Sequence, residues 1–123
     1  MQVLPGDHCE AIQQLARIDY IRVDVEGHEL AVLHGLRQTL QVQRPLVFFE
    51  WNALAAFEQV INAVPKDYSF WLFSAEQPWA WICNRPAYSL TRLPAAGPSG
   101  VANVLAGPQA QLPKRLRRCQ AGR

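Results

Sequence analysis

The sequence predicts an α/β fold, in which helices connect parallel strands of one sheet. An apolar, strand-like run is followed by a helical pattern twice in succession, first over residues 20–42 and again over residues 46–64. Repeated strand–helix units of this kind are typical of parallel sheets. In addition, residues 21–30 carry two acids out to a glycine just before a helix begins. In open α/β folds, ligands bind at such corners, outside the carboxyl ends of the strands.

The first predicted element is a short helix over residues 7–17. Asp7 can cap this helix, and Glu10 completes a pair that resembles a capping box. Apolar residues at helical spacing follow. Residues 20–25 then form a strand, because β-branched residues alternate there with Arg22 and an acid.

The clearest predicted helix covers residues 28–42. Its apolar stripe consists of Leu30, Leu33, Leu36 and Leu40. Glu29 lies in the first turn, where the helix dipole favours an anion. Gly35 weakens the helix relative to alanine, and we expect it to permit close packing on a neighbouring strand. Arg44–Pro45 ends the helix, since proline disfavours helical angles in the residue before it.

Residues 46–51 are almost continuously apolar, as expected of a central strand that is covered on both faces. This strand also carries an acid, Glu50, at its carboxyl end. A helix is predicted over residues 53–64, with Pro65 stopping it. The second strand–helix unit therefore resembles the first.

The last third of the chain changes character. Residues 68–74 and 79–83 are predicted strands that form a hairpin around the turn at Glu76-Gln77-Pro78. Residues 86–100 are rich in proline, glycine and serine and predict a loop. Residues 101–106 predict a final strand.

We place the end of the domain at residue 107 and expect residues 108–123 to be a basic tail without packed structure. The basic run Lys114–Arg118 in this tail is typical of a solvated, frayed terminus. Contact with RNA or acidic lipid is the alternative for this run. We otherwise expect no nucleic-acid and no membrane partner.

The composition describes one small domain. The chain has 123 residues, of which 50% are hydrophobic and 18% are charged, so it can bury a core. A formal net charge of +2 is too small to indicate nucleic-acid binding. Three scattered cysteines, Cys9, Cys83 and Cys119, favour a reducing compartment. The sequence contains no secretory signal pattern and no apolar run of bilayer length, so a soluble cytoplasmic protein is expected.

Residues 18–35 resemble the FkbM-type methyltransferases. The family's recurring string runs isoleucine-lysine, a hydrophobic residue, Asp-Val-Glu-Gly, any residue, Glu, then Leu, Val-Leu and Gly. Here Arg22 stands where lysine is usual, which keeps the charge. Residues 44–50 look like the family's next strand, which also ends in glutamate, and residues 103–106 are similar to its closing strand. The resemblance covers about residues 15–107.

The resemblance implies part of a class I methyltransferase sheet, which is Rossmann-like, with parallel strands followed by an antiparallel carboxyl-terminal hairpin and strand. It also implies S-adenosylmethionine as the cofactor and a hydroxyl of a sugar or natural product as the methyl acceptor. Family members hold the cofactor with a glycine-rich loop, and no G-x-G or D-x-G-x-x-x-G pattern precedes Asp19. Residues 1–107 are therefore assigned to the carboxyl-terminal part of the family domain.

A further expectation concerns the predicted strand at residues 20–25. In the family's sheet this strand lies beside the first strand, for which the sequence before Asp19 has no counterpart. The strand would then be an edge with unpaired backbone groups. We expect self-association through this edge, or pairing with a separately encoded amino-terminal half.

The candidate catalytic residues are Asp24, Glu26 and Glu50, which lie at the carboxyl ends of neighbouring strands. A carboxylate there can remove the proton from an acceptor hydroxyl or can hydrogen-bond the acceptor or the cofactor. Asp24 and Gly27 are also assigned to the cofactor, and Gly27 offers backbone without a Cβ.

Residues next to these acids are assigned to the acceptor. They are His28, Trp51 and Asn52. Trp51 and Asn52 directly follow Glu50 at the strand end and can line a pocket there. No metal is expected.

Several structural interpretations compete with these roles. Asp24 and Glu26 can bond the free amides of the following helix, and Glu50 can mark where solvent begins. Asp24, Glu26 and His28 alternate, which permits a metal site on paper. His34 fits a surface or packed position.

Tryptophans and the missing loop allow two further functions. Trp71, Trp79 and Trp81 fit core packing, although they could also stack on a sugar or adenine. The chain could therefore be a carbohydrate- or nucleotide-binding domain without turnover. The absence of a glycine-rich loop favours another alternative, a non-catalytic remnant or interaction module.

Overall fold

The computed structural model describes residues 4–52, 56–75 and 88–110 and contains one five-stranded sheet. The strands in chain order are β1 (Tyr20–Val23), β2 (Leu46–Trp51), β3 (Tyr68–Ala75), β4 (Tyr88–Arg92) and β5 (Ala102–Pro108). Across the sheet their order is β1-β2-β5-β3-β4. The described helices are a 3-10 turn, Gly6–His8, and four short α-helices: α1 (Glu10–Gln13), α2 (Glu29–Gly35), α3 (Arg37–Gln43) and α4 (Phe57–Ala63).

The sheet is mixed. β1 and β2 are parallel, with Tyr20 beside Leu46 and Val23 beside Phe49. β5 runs antiparallel to both β2 and β3, and β4 runs antiparallel to β3. The carboxyl ends of β1, β2 and β3 therefore share one edge of the sheet. Among the described strands, β1 has β2 as its only neighbour.

The core lies between one face of the sheet and helices α2, α3 and α4. Alternate residues of the strands point into it, since side chains alternate between the faces of a sheet. The buried apolar side chains from the strands are Val23, Val47, Phe49, Trp51, Tyr68, Phe70, Val104 and Ala106, and those from the helices are Leu33, Leu40, Phe57, Val60 and Ala63. This packing places the residues between them, including Glu50, on the opposite face.

The helix predicted over residues 28–42 is interrupted. Leu36, with φ −109° and ψ 16°, separates α2 from α3, and its N–H bonds to the carbonyls of Val32 (3.0 Å) and Leu33 (3.3 Å). The amino-terminal segment packs closely at this junction. A Cβ added to Gly35 would lie 3.4 Å from the Gly6 nitrogen. Gly35 therefore admits the amino-terminal segment, and the prediction that it packs on a strand was wrong.

The amino-terminal helix is shorter than predicted, and Asp7 has a different role. Only Glu10–Gln13 form an α-helix within the predicted range 7–17. The Asp7 carboxylate accepts hydrogen bonds from the N–H groups of Gln38 (2.7 Å) and Thr39 (2.9 Å) and from the Thr39 hydroxyl (2.7 Å). Asp7 thus caps α3, because the break at Leu36 leaves the first amides of α3 without helical partners.

The β-rich part of the chain differs from its prediction in one strand. β4 lies inside the range predicted as a loop, and it pairs with β3 from Trp71 beside Arg92 to Ser74 beside Ser89. The predicted partner strand at residues 79–83 and the tail from residue 111 lie outside the described residues. β2 coincides with its predicted range, while β5 continues to Pro108.

An aromatic cluster closes the carboxyl-terminal end of the core. The ring of Phe57 makes edge-to-face contacts with Trp51 (centroids 5.4 Å apart) and with Phe70 (5.2 Å). The loop after β4 covers this cluster, and Gly97 lies so close that an added Cβ would be 2.4 Å from Phe57 Cγ. No helix in the described part of the chain is long and apolar enough to cross a membrane.

Candidate functional site

The corner after β1 is a tight turn with unusual backbone angles. The His28 N–H bonds to the Val25 carbonyl over 3.4 Å, and the two residues between them, Glu26 (φ 46°) and Gly27 (φ 98°), both have positive φ. Positive φ at both central positions is the pattern of a type I′ turn. Glycine adopts this conformation freely, whereas glutamate is strained in it. The predicted acidic corner is therefore a sharp, strained turn.

The Glu29 side chain stabilises this turn through a hydrogen bond to its backbone. Its side chain is buried, with 4% of the residue exposed, and Oε1 accepts a hydrogen bond from the Gly27 N–H over 3.1 Å. The N-cap residue of α2, His28, makes no capping bond with its own side chain. The sequence pattern predicts Glu29 only as a residue of the first helical turn. Its recurrence in the family string was the available sign of a larger role.

Asp24 lies at the surface, next to the turn. Its carboxylate pairs with the Arg22 guanidinium over 3.1 Å, and both side chains are more than half exposed. An exposed pair of this kind contributes little stability. Asp24 therefore bonds to its own strand, whereas the interpretation as a helix cap assigned it to the amides of α2. Glu26 and His28 are also exposed.

Glu50 occupies the corresponding position on β2. It is exposed and lies opposite Asn103 of β5. Because the Leu46 N–H donates to the Asp19 carbonyl, even-numbered residues of β2 direct their backbone toward β1. Glu50 and Asn103 are then a non-hydrogen-bonded pair, in which the Cα atoms approach to about 4.5 Å and the side chains are close.

Three polar side chains consequently form a row at the carboxyl edge of the sheet. Continued one residue past its last aligned pair, Val23 and Phe49, the register places Asp24 near Glu50, and Glu50 faces Asn103. All three are exposed. They alternate with buried core residues, so the row lies on the side of the sheet away from α2 and α4. We call Asp24, Glu50 and Asn103 the edge row. Asn103 was not among the predicted site residues, because its place opposite Glu50 depends on strand order.

The predicted acceptor residues have different environments. Trp51 is buried at 4% exposure and packs on Phe57, which favours core packing over a pocket-lining role. Asn52 is half-buried directly after β2, and His28 is exposed. Trp71 is half-buried in β3, and its indole Nε1 is enclosed without a hydrogen-bond partner among the described residues.

A metal site receives no support from the described residues. No group of three or more His, Cys, Asp or Glu side chains in them could hold a metal ion. A cavity of about 280 Å³ lies elsewhere, between the amino-terminal segment and α3. Its lining residues are Asp7, Ile12, Gln13, Ile18, Gln38, Thr39, Val42 and Gln43.

Comparison with known proteins gives one match. The family described as "Methyltransferase FkbM domain" matches residues 5–84, which is more than half of the chain and includes the turn and the end of β2. No curated protein and no solved structure matches the chain.

Proposed function

Since the chain belongs to the FkbM methyltransferase family, we propose that it acts in S-adenosylmethionine-dependent methylation of a hydroxyl group on a sugar or natural product. The observation that carries this proposal is the edge row. It presents the family's acids, Asp24 and Glu50, to solvent at the carboxyl ends of adjacent parallel strands, where α/β folds bind ligands. We propose a Rossmann-like class for the sheet on the same family grounds. We also propose a cytoplasmic location, because the three scattered cysteines favour a reducing compartment.

The chemistry assigned to the edge row is proton removal and orientation. Asp24 is assigned to accept the proton of the acceptor hydroxyl. The oxygen of that hydroxyl is the nucleophile that bonds to the methyl carbon. Glu50 accepts a hydrogen bond from a neighbouring hydroxyl, and Asn103 can both accept and donate one. Such contacts align the nucleophile for in-line displacement. His28 and Asn52 flank this position and are assigned to the acceptor.

The turn is assigned to the cofactor. S-adenosylmethionine, when bound, supplies an electrophilic methyl group on a positively charged sulfur, which departs as a neutral thioether. The residues of the turn fit such a ligand by their chemistry, since exposed carboxylates at Asp24 and Glu26 suit ribose hydroxyls and an ammonium group. Gly27 lets the ligand approach the backbone. Glu29 positions Gly27 through the hydrogen bond at 3.1 Å.

The proposal assigns two parts of one site to residues 20–52, the acceptor to the edge row and the cofactor to the turn. Calorimetric titration with S-adenosylmethionine tests the cofactor assignment, and absence of binding would contradict it.

Asp24→Asn is the first prediction of this proposal. The amide cannot accept the acceptor proton, so we expect methyl transfer to fall by about 10²–10⁴-fold, with the free energy of unfolding changed by less than about 0.5 kcal/mol. Transfer of a labelled methyl group from S-adenosylmethionine to methyl glucoside provides the measurement. Glu58→Gln, at an exposed position on α4, is the matched control. Unchanged turnover in Asp24→Asn would remove Asp24 from the mechanism.

A further inference from the structure

We propose that Phe48 and Phe73, here called the aromatic pair, are specificity-determining residues that contact the apolar face of a ring-shaped acceptor such as a pyranoside. The inference rests on the proposed function, because it names the part of the same site that recognises the body of the acceptor. It follows from the cross-strand alignment, from the contact between the two rings and from their place beside the edge row.

The aromatic pair lies on the same face of the sheet as the edge row. Phe48 lies between two buried core residues of β2 and precedes Glu50 by two residues, so both point away from the helix-covered core. Phe73 of β3 is aligned with Asn103 of β5. Residues aligned in this way have Cβ atoms about 4.5–5.5 Å apart. One ring is therefore next to Glu50 along β2, and the other is next to Asn103 across the sheet.

The two rings meet over β5. Strands β2 and β3 flank β5, so their backbones lie about 9.5 Å apart. The ring centroids of the aromatic pair are only 5.6 Å apart, and the ring planes make an angle of 85°. The side chains therefore lean toward each other across β5, between Asn103 and Leu105, which are aligned with Phe73 and Phe48. This contact places an aromatic surface directly beside the edge row.

The chemistry of this surface suits a ring that carries hydroxyls. Both residues of the aromatic pair are half-buried and retain accessible surface. Apolar walls with a few convergent polar groups are typical of small-molecule sites. The negative face of an aromatic ring attracts C–H groups, and a pyranose chair directs axial C–H bonds to each side while its equatorial hydroxyls lie around the rim. Such an acceptor can contact the aromatic pair with its C–H face and the edge row with its hydroxyls, whereas an acyclic polyol has no fixed apolar face.

Acceptor selectivity tests this assignment. Phe73→Leu keeps an apolar side chain and removes the ring, so we expect the KM for methyl β-glucoside to rise by about three- to tenfold. The KM for sorbitol, an acyclic polyol, and kcat for both acceptors should change by less than about twofold, since the ring does not touch the reacting atoms. Phe73→Tyr retains the ring and should keep the original KM values. Leu90→Val is the matched control, because Leu90 lies beside Phe73 on the side away from Asn103.

A binding measurement separates this inference from the proposed function. In saturation-transfer NMR of methyl β-glucoside with the full chain, irradiation of aromatic protons should give the strongest signal at the axial protons of one ring face, and Phe73→Leu should reduce that signal. Such binding without methyl transfer would support the acceptor contact and contradict the proposed function. An absent signal, or equal KM changes for both acceptors in Phe73→Leu, would overturn the acceptor contact, since the aromatic pair would then serve only the packing of the sheet.

Discussion

Glu26 occupies a backbone conformation that favours glycine, with φ 46°. Left-handed angles cost a residue with a Cβ about 1–2 kcal/mol, and strained residues of this kind cluster at functional sites. The family string keeps glutamate at this position. The strain therefore supports a role for the Glu26 carboxylate that a glycine could not perform.

Glu26→Gly should raise the free energy of unfolding by up to about 1 kcal/mol, because relief of strain exceeds the entropy lost by glycine. Urea denaturation measures the change. Gln41→Gly, at an exposed site within α3, is the control and should lower stability by about 1 kcal/mol. Equal losses in the two variants would show that position 26 is not strained.

Glu29→Ala should lower the free energy of unfolding by about 1–3 kcal/mol, since it removes a buried acceptor and leaves the Gly27 N–H without its partner. Glu29→Gln retains an acceptor oxygen and should cost less. Glu58→Ala, in the exposed first turn of α4, should change stability by less than about 0.5 kcal/mol. If Glu29→Ala behaves like Glu58→Ala, the bond to Gly27 does not hold the turn.

At the scale of elements, the cap on α3 links the amino-terminal segment to the rest of the fold. Burial alone would raise the pKa of the Asp7 carboxyl, but the hydrogen bonds from Thr39 and Gln38 outweigh burial and lower it below 3.8. A lowered pKa in the folded state means that folding is stabilised by the ionised form.

Asp7→Asn should therefore remove a contribution to stability that depends on pH. This contribution is complete above the unfolded pKa of about 3.8 and is lost as the pH falls through the lower folded value. We expect the difference in unfolding free energy between the original chain and Asp7→Asn to be larger at about pH 6 than at about pH 3. A difference that is independent of pH would contradict the proposed charge on the cap.

At the scale of the whole molecule, the loop after β4 seals the core where Trp51, Phe57 and Phe70 meet. Gly97 permits this contact in two ways, through its backbone angle and through its lack of a Cβ. It adopts φ 77°, and a Cβ on it would lie 2.4 Å from Phe57 Cγ. The loop therefore depends on glycine for both its backbone angle and its packing.

A pair of glycine substitutions separates those two effects. Gly100 also has positive φ, 102°, but nothing lies within 4 Å of an added Cβ. Gly100→Ala should cost about 1 kcal/mol through backbone strain alone, whereas Gly97→Ala should cost about 2–4 kcal/mol because steric overlap is added. Thermal unfolding followed by near-ultraviolet circular dichroism measures both. Similar losses would show that Phe57 moves aside at little cost.

The predictable part of the fold is the part that local periodicity describes. The apolar run of β2 extends from Leu46 to Trp51 as predicted, and Asp24–Gly27 form the predicted corner after β1. β4 was missed because Tyr88–Arg92, in which apolar and polar residues alternate, was included in a longer range rich in proline, glycine and serine. Its hydrogen-bond partners are distant in sequence, so no local pattern records them.

The amino-acid sequence by itself determined the α/β class, the family and the acidic corner, because these depend on short-range periodicity and on one contiguous string. Tertiary structure alone decided which side chains meet. It placed Asn103 opposite Glu50, moved Asp7 to the start of α3 and turned Trp51 into the core. Each of these outcomes depends on strand order or on close approach of separate segments. Contacts of that kind are selected by the packing of the whole chain and not by any local pattern.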